Sequence, residues 1–191
     1  MSPTACEPTQ RLFLALWPQE HERQALARAT AKAARSCGGR PVPAPNLHVT
    51  LAFLGSVPLR RVGELRALAQ RTARAFSQDA PLALRFETLA HWPRQQILCA
   101  LAAAAPRGAQ ALAEALKDGA AAAEFSPDLK PFHAHVTVAR KVTHAPPRPA
   151  LHAVVWRFDA FALLDSRTEP AGPIYSVIES YPLANTEKAH E

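Results

Sequence analysis

Residues 46–55 read NLHVTLAFLG, and residues 131–140 read PFHAHVTVAR. Both segments are apolar and rich in β-branched residues, which predicts two strands. They share the tripeptide His-Val-Thr, which begins at His48 in the first segment and at His135 in the second. Because side chains alternate faces along a strand, each histidine projects on the same side as the threonine two positions later. The sequence therefore predicts two matching strand faces that each present an imidazole and a hydroxyl.

Composition limits the size and class of the protein. The chain has 191 residues, 48% of them hydrophobic, which is typical of one domain or of two small lobes packed together. Its formal net charge of +6 favours an anionic partner, such as nucleic acid or a phosphorylated small molecule. The basic residues are scattered along the chain, so an arginine-rich composition without such a partner explains the charge equally well.

The cysteines and the apolar runs bear on the compartment. Cys6, Cys37 and Cys99 are far apart and odd in number, which argues against a disulfide framework. The first residues lack a signal-peptide pattern, and the longest apolar run, 97–105, is too short to span a bilayer. We therefore expect a cytoplasmic protein that does not interact with membranes.

Hydrophobic periodicity and proline positions predict alternating strands and helices. We expect helices at 18–36, 59–76 and 109–123. We expect strands at 11–17, 46–55, 82–89, 96–102, 154–164 and 174–181, and a further strand in the second motif segment that ends at 140. A turn at 91–93 makes the two middle strands a hairpin. This order predicts an α+β fold with mainly antiparallel sheet and a hint of two similar halves. We place a flexible tail at 1–10, a single domain at 11–183 and a second tail at 184–191.

Several kinds of catalytic site are disfavoured. His48 and His135 are too few ligands for zinc without a nearby Cys, Asp or Glu at ligand spacing, and the neighbouring His133 could add only a third. There is no G-x-S-x-G segment, no histidine partner for a cysteine nucleophile, no P-loop and no G-x-G-x-x-G segment. Neither a metal nor a nucleotide cofactor is expected.

Paired histidines suit general acid–base chemistry on a phosphodiester. One imidazole takes a proton from water, and the other gives a proton to the leaving oxygen on the opposite side of phosphorus. Thr50 and Thr137 are placed to hold phosphoryl oxygens. For either motif alone, a hydrogen-bonded structural histidine is the competing interpretation, and the duplication in matching strands favours a functional site.

A broader set of motifs resembles the 2H phosphoesterases, and within them the bacterial RNA 2′,3′-cyclic phosphodiesterases, also named 2′-5′ RNA ligases. The similarity runs from about 11 to 183. The segments that carry it are RLFLALWP (11–18), PNLHVTLAFLG (45–55), HWPR (91–94), PF (131–132), HVTVAR (135–140), SR (166–167) and GPIY (172–175). The resemblance implies a bilobal 2H phosphoesterase fold, with two sheets related by a pseudo-two-fold axis, helices outside and a basic central cleft.

The same resemblance implies metal-independent opening of a terminal 2′,3′-cyclic phosphate of RNA to a 2′-phosphomonoester. It implies that His48 protonates the leaving O3′ and that His135 is the base, with Thr50, Thr137 and Arg140 binding substrate. Arg140 lies at an odd offset from His135, so a bulge or the strand end must turn it toward the site.

Two departures and several alternatives remain. Ala134 stands where the family usually has Pro, and His133 occupies a position that is commonly basic; both should affect substrate contacts. Trp92 either stacks on a base or belongs to the core, and Arg167 either lines the cleft or forms a salt bridge. Competing functions are 2′-5′ ligation, which is the reverse reaction, and a non-catalytic RNA- or nucleotide-binding module. We expect a monomer.

Overall fold

The computed structural model describes residues 7–78, 82–103, 107–147, 150–170 and 172–185. Three α-helices are found in this part of the chain: α1 (Glu20–Arg35), α2 (Val62–Ala75) and α3 (Arg107–Ala122). The strands are β1 (Thr9–Leu16), β2 (Arg40–Pro41), β3 (Val49–Pro58), β4 (Ser77–Gln78), β5 (Leu82–Trp92), β6 (Ile97–Ala102), β7 (His135–Arg140), β8 (Ala150–Phe158), β9 (Ala160–Glu169), β10 (Gly172–Pro182) and β11 (Ala184–Asn185).

Two antiparallel sheets form the two lobes. The first has the strand order β10-β9-β1-β3, and the second has the order β2-β7-β6-β5-β8. The short strands β4 and β11 form a separate parallel pair. The motif strands β3 and β7 lie at facing borders of the two sheets and contact each other. The predicted α+β class with two mainly antiparallel sheets is confirmed.

Helices α1 and α3 cross over between the lobes, whereas α2 packs on the sheet of the strand before it. α1 leaves the first sheet and packs on β7 and β8 of the second, where Trp156 donates its indole N–H to the carbonyl of Glu22 at 2.9 Å. α2 and α3 pack on each other and on β10 and β3 of the first sheet. Leu26 on α1, Leu65 on α2 and Leu112 on α3 are fully buried in one shared core. Burial of each such side chain stabilises the fold by roughly 2 kcal/mol. Because the three helices share one core, both lobes depend on the same buried surface.

The structure corrects the expected strand at 154–164. A break at Asp159 divides this segment into β8 and β9, which belong to different sheets. Both halves are apolar, so periodicity alone did not reveal the break, and the pairing with β5 and β1 imposes it. The carbonyl of Asp159 accepts a hydrogen bond from the N–H of Leu183 at 2.7 Å.

Other boundaries differ by a few residues. β1 begins at Thr9, inside the segment expected to be a tail, because Thr9 pairs with Pro58 at the end of β3. Strand β5 continues to Trp92, so the hairpin turn follows the predicted position. At the other end of the chain, Ala184–Asn185 pair with β4 inside the predicted C-terminal tail. The predicted tail residues 1–6 and 186–191 lie outside the described residues.

Candidate active site

The two motif strands converge on one small cavity. Its volume is about 60 Å³. The residues that line it are Val42, Asn46, His48, Thr50, His135, Thr137 and Arg140. All five residues selected from the sequence as catalytic or substrate-binding are therefore in the same place, although they come from separate lobes.

A bulge in each motif strand shapes the walls of this cavity. Across β6, Leu98 pairs with Ala139 and Cys99 pairs with Thr137, so Val138 has no partner. The extra residue reverses the alternation, and consequently Val138 and Ala139 are both buried and Arg140 returns to the face of Thr137. The irregularity that Arg140 needs is thus present in β7.

Strand β3 has its bulge at the equivalent position. Leu14 pairs with Ala52 and Ala15 pairs with Thr50, which leaves Leu51 without a partner on β1. Phe53 thereby faces the same side of β3 as Thr50, just as Arg140 faces the same side of β7 as Thr137. The internal repeat therefore covers six residues in the structure, HVTLAF and HVTVAR, whereas the sequence interpretation used only the tripeptide.

Each catalytic candidate is oriented by a backbone carbonyl two residues earlier. Nδ1 of His48 lies 2.7 Å from the carbonyl oxygen of Asn46, and Nδ1 of His135 lies 2.7 Å from the carbonyl oxygen of His133. A carbonyl accepts only, so Nδ1 is the donor in both rings. The other ring nitrogen, Nε2, is left as the atom that exchanges protons.

Aromatic rings surround His48. Its ring lies 5.0 Å from Phe13 and 5.0 Å, edge to face, from Tyr175, measured between centroids. Trp17 stacks on it at 5.9 Å. The side-chain amide of Asn46 donates to the carbonyl of Pro173 at 2.8 Å, which ties the residue that orients His48 to β10, the strand that carries Tyr175. Neither Phe13 nor Asn46 was singled out from the sequence, because only the tertiary structure gives them a role.

The surroundings of His135 are more open. Trp92 packs against its ring with 4.7 Å between centroids. His133 is exposed, and its carbonyl orients His135. Ala134, in the position usually held by Pro, is buried, and its carbonyl accepts a hydrogen bond from the N–H of Ala102 at 3.0 Å.

Burial and charge lower the pKa of both histidines. Burial lowers the pKa of His48 to about 4; the hydrogen bond to Asn46 opposes this shift, while the positive charges of Arg140 and His135 add to it. Burial also lowers the pKa of His135, again opposed by its backbone hydrogen bond. Both rings are therefore largely neutral at pH 7 in the free protein, and a bound anion would favour their protonation.

The cysteine behind the cavity is not reactive. Cys99 is buried, and its sulfur lies 3.9 Å from the hydroxyl oxygen of Thr137. Burial raises the pKa of this thiol to about 12, so it holds its proton at neutral pH. Its contact helps to fix Thr137.

Two larger cavities adjoin the small one. A cavity of about 460 Å³ lies beside His48, where Arg11, Tyr175 and the hydroxyls of Ser166 and Thr168 line it. A cavity of about 970 Å³ lies beside His135. Arg167 instead forms an ion pair with the buried Asp165 at 2.9 Å, which supports its salt-bridge interpretation.

The described residues bear on metal binding and on membrane spanning. Within the described ranges, no three His, Cys, Asp or Glu side chains are arranged as a metal-binding group. None of the helices in the same part of the chain is long and apolar enough to cross a membrane.

Comparison with known proteins identifies similar sequences and structures. Residues 17–170 match the family model described as 2′-5′ RNA ligase superfamily. The RNA 2′,3′-cyclic phosphodiesterase of Thermus thermophilus is 35% identical over 181 residues, which cover 91% of this chain and 90% of that protein. The RNA 2′,3′-cyclic phosphodiesterase of Escherichia coli is 32% identical over 136 residues, which cover 71% of this chain and 74% of that protein.

A solved structure has the same fold. The crystal structure of E. coli LigT complexed with 3′-AMP matches with a TM-score of 0.83 at 28% identity. The match covers 93% of this chain and 100% of the LigT chain. The resemblance found in the sequence is confirmed.

Proposed function

Because this chain belongs to the 2′-5′ RNA ligase superfamily of 2H phosphoesterases, we propose that it opens the terminal 2′,3′-cyclic phosphate of RNA to a 2′-phosphomonoester. His48 and His135 are the acid and the base, and no metal takes part. The names of the Thermus thermophilus and E. coli relatives support the phosphodiesterase activity and the RNA substrate.

One observation carries the mechanism: both His-x-Thr motifs border the same 60 Å³ cavity. This volume is on the order of that of two water molecules in the liquid, which suits a single phosphoryl group. An in-line displacement needs a proton acceptor and a proton donor at the same phosphorus, and two histidines that border one cavity can supply both.

The proposed step keeps the atoms in balance. Water attacks phosphorus and loses a proton to Nε2 of His135, while the bond between phosphorus and O3′ breaks. The departing O3′ takes a proton from Nε2 of His48, and the phosphate stays on O2′. This assignment of acid and base follows the family resemblance, and the fixed Nδ1–H groups support the use of Nε2 in both rings.

Fixed donors stabilise the charge on the phosphoryl oxygens. Thr50 borders the cavity from one lobe of the protein, and Thr137 borders it from the other lobe. Arg140 borders it from the end of β7. Donors that are already oriented need no reorganisation during the reaction. The charge of Arg140 provides electrostatic stabilisation without a metal ion.

The decisive experiment uses a short RNA that ends in a 2′,3′-cyclic phosphate, incubated with excess EDTA. Wild type, His48→Ala and His135→Ala are compared, and the position of the product phosphate is determined by chromatography. His21→Ala is the matched control, because His21 is exposed on α1, away from the cavity.

We expect a 2′-phosphate product that survives EDTA, persists with His21→Ala and disappears in both active-site variants. Loss of activity in EDTA would contradict metal independence. If the wild type binds the RNA without turnover, the protein is a non-catalytic binding module. Turnover that neither substitution reduces would rule out the two-histidine mechanism.

A further inference from the structure

We propose that Trp17, held in place by Arg23, is a positioning residue that fixes the ring of His48 for proton transfer to the leaving oxygen. This role rests on the proposed function, in which His48 is the acid. It adds two residues that lie outside the His-x-Thr motifs and do not line the cavity between them. Both therefore act on the reaction through His48.

Trp17 lies across from His48 at the end of two paired strands. Leu16 of β1 pairs with Val49 of β3, and Trp17 and His48 are the next residues in this antiparallel register. The indole and the imidazole are stacked, with an angle of 28° between their planes. The χ2 angle of histidine is otherwise broadly distributed, so a stacked neighbour narrows the range of orientations of the His48 ring.

The backbone of Trp17 is restrained on both sides. β1 ends at Leu16, and Pro18, which is buried, follows Trp17. A residue before proline is confined to extended conformations, so Trp17 continues the direction of the strand. The direction of the indole is therefore set before α1 begins at Glu20.

Arg23, in the first turn of α1, covers the indole. Its guanidinium carbon lies 4.8 Å from the centroid of the Trp17 ring. Two of its nitrogens, Nε and Nη1, are buried, and neither has a hydrogen-bond acceptor among the described residues. Burial lowers the pKa of this guanidinium, whereas the charge of Glu20 raises it. A buried cation without acceptors needs another source of stabilisation, and the face of a tryptophan supplies one.

The start of α1 is anchored on the opposite lobe. Glu22 is buried, and its carboxylate accepts a hydrogen bond from the N–H of Arg157 on β8 at 2.7 Å. Arg23 is the next residue of the helix, so the second sheet sets its position, while Trp17 extends from the first sheet. The stack of Arg23, Trp17 and His48 thereby makes the orientation of one imidazole depend on the packing of both lobes.

The second half of the protein has a different residue at the equivalent position. Leu101 of β6 pairs with His135, in the place that Trp17 takes opposite His48. Trp92 contacts His135 from the end of β5 instead, and its ring is tilted by 54°. A leucine offers no flat surface for an imidazole to stack on. The two histidines therefore share a tautomer but differ in the residue that restrains the ring from the neighbouring strand.

The stack also contributes to the burial of His48. The other titratable groups that face or adjoin this ring are Arg11, His135, Arg140 and Tyr175. Burial is the largest cause of its low pKa of about 4, and the positive charges of Arg140 and His135 lower it further. Since these charges stay in place when the indole is removed, any rise in the pKa of His48 on substitution of Trp17 reports the lost burial.

The test compares wild type with Trp17→Leu, Trp17→Phe and Arg23→Gln. Trp17→Leu places opposite His48 the residue type that lies opposite His135, and Trp17→Phe keeps an aromatic ring. Arg28→Gln is the matched control for loss of a charge, because Arg28 is exposed on α1.

Two substrates separate proton donation from the rest of catalysis. A short RNA that ends in a 2′,3′-cyclic phosphate needs a proton on the departing O3′, whereas bis(p-nitrophenyl) phosphate releases a phenolate that needs none. Both kcat and KM are measured at the pH optimum of each variant, so that an altered pKa does not enter the comparison. NMR titration gives the pKa of His48 without turnover.

We expect Trp17→Leu to lower kcat on the RNA by about 10- to 100-fold and to change KM by less than about threefold, since the residues that hold the phosphate are intact. The loss on bis(p-nitrophenyl) phosphate should be much smaller. The pKa of His48 should rise from about 4 toward 6.5. Trp17→Phe should recover most of kcat, and Arg23→Gln should show the pattern of Trp17→Leu to a smaller degree.

The outcomes separate this role from the proposed function. Unchanged kcat on the RNA in Trp17→Leu and Arg23→Gln overturns it while the proposed function stands. Equal losses on the two substrates also overturn it, because they indicate general damage and not impaired proton donation. If Trp17→Leu does not fold, Arg23→Gln decides, since that side chain is partly exposed. If wild type does not turn over the RNA, the proposed function fails, and an unchanged pKa of His48 in Trp17→Leu then overturns the role of the indole as well.

Discussion

The Nδ1 atom of His48 lies 2.7 Å from the carbonyl oxygen of Asn46. Since that oxygen only accepts hydrogen bonds, the ring proton stays on Nδ1 and Nε2 is free to take or give a proton. Nδ1 of His135 has the same relation to the carbonyl of His133. Both motifs therefore present the same tautomer, and the difference between acid and base must come from their surroundings and from the substrate.

The pH dependence of the rate should have a maximum below pH 6.5. Acid–base catalysis needs one neutral and one protonated imidazole, a combination most populated between the two pKa values. The pKa of His48 is about 4, and burial also lowers that of His135 from its ordinary value of 6.5. Measured kcat/KM should form a bell in this acidic range, and the bell for kcat should lie at higher pH because the bound phosphate anion raises both pKa values. A flat profile from pH 4 to 8 would contradict paired catalysis.

Stability should fall as the pH decreases from about 6.5 toward 4. The pKa of His48 is lower in the folded protein than in the unfolded chain, so the unfolded chain binds this proton first. Since part of the ring is accessible to water, we expect a loss on the order of 2 kcal/mol. Thermal or urea unfolding of wild type and His48→Gln across this range measures it. The variant should lose less stability than wild type; equal losses would mean that His48 is not held neutral.

Arg140→Gln should lower kcat/KM by about 100-fold, because the variant lacks a cationic donor at the phosphate-sized cavity. Arg140→Lys should recover only part of the loss, since an ammonium lacks the planar fork of the guanidinium. NMR titration gives a readout independent of turnover: the pKa of His48 should rise in Arg140→Gln, because the arginine's charge lowers it. Arg28→Gln, an exposed site on α1, is the control for removal of a charge. An unchanged pKa of His48 together with unchanged kcat/KM would exclude Arg140 from the site.

A substrate with a good leaving group should distinguish the acid from the base. Bis(p-nitrophenyl) phosphate releases a weakly basic phenolate that needs no proton from the enzyme. With His48 as the acid, His48→Ala should retain most of the wild-type rate on this ester and should lose activity on the cyclic phosphate. His135→Ala should lose activity on both substrates. The reverse pattern would exchange the two roles, and loss of the ester activity in both variants would show that His48 also serves to hold the phosphate.

Local patterns revealed much of the fold and of the candidate site. Apolar, β-branched composition located the motif strands, and helical periodicity located all three α-helices within a few residues. The prediction of one strand at 154–164 was wrong because both halves of the segment are apolar. Only the pairing of the halves with strands of different sheets separates them. Tyr175 belongs to the GPIY segment that resembles the family, yet nothing local indicated that its ring would lie edge to face on His48.

By itself, the sequence determined the chemistry available: two imidazoles, each on the same strand face as a hydroxyl, in a family frame that uses them on phosphodiesters. These features are local, because the extended backbone of a strand by itself makes successive side chains alternate between the two faces. Tertiary structure decided what lies beside them. The pairing of β7 with β6 creates the bulge that returns Arg140 to the cavity, and the meeting of β3 and β7 from different sheets makes two motifs into one site. Long-range pairing and burial determine both outcomes, and they also lower the pKa of each histidine.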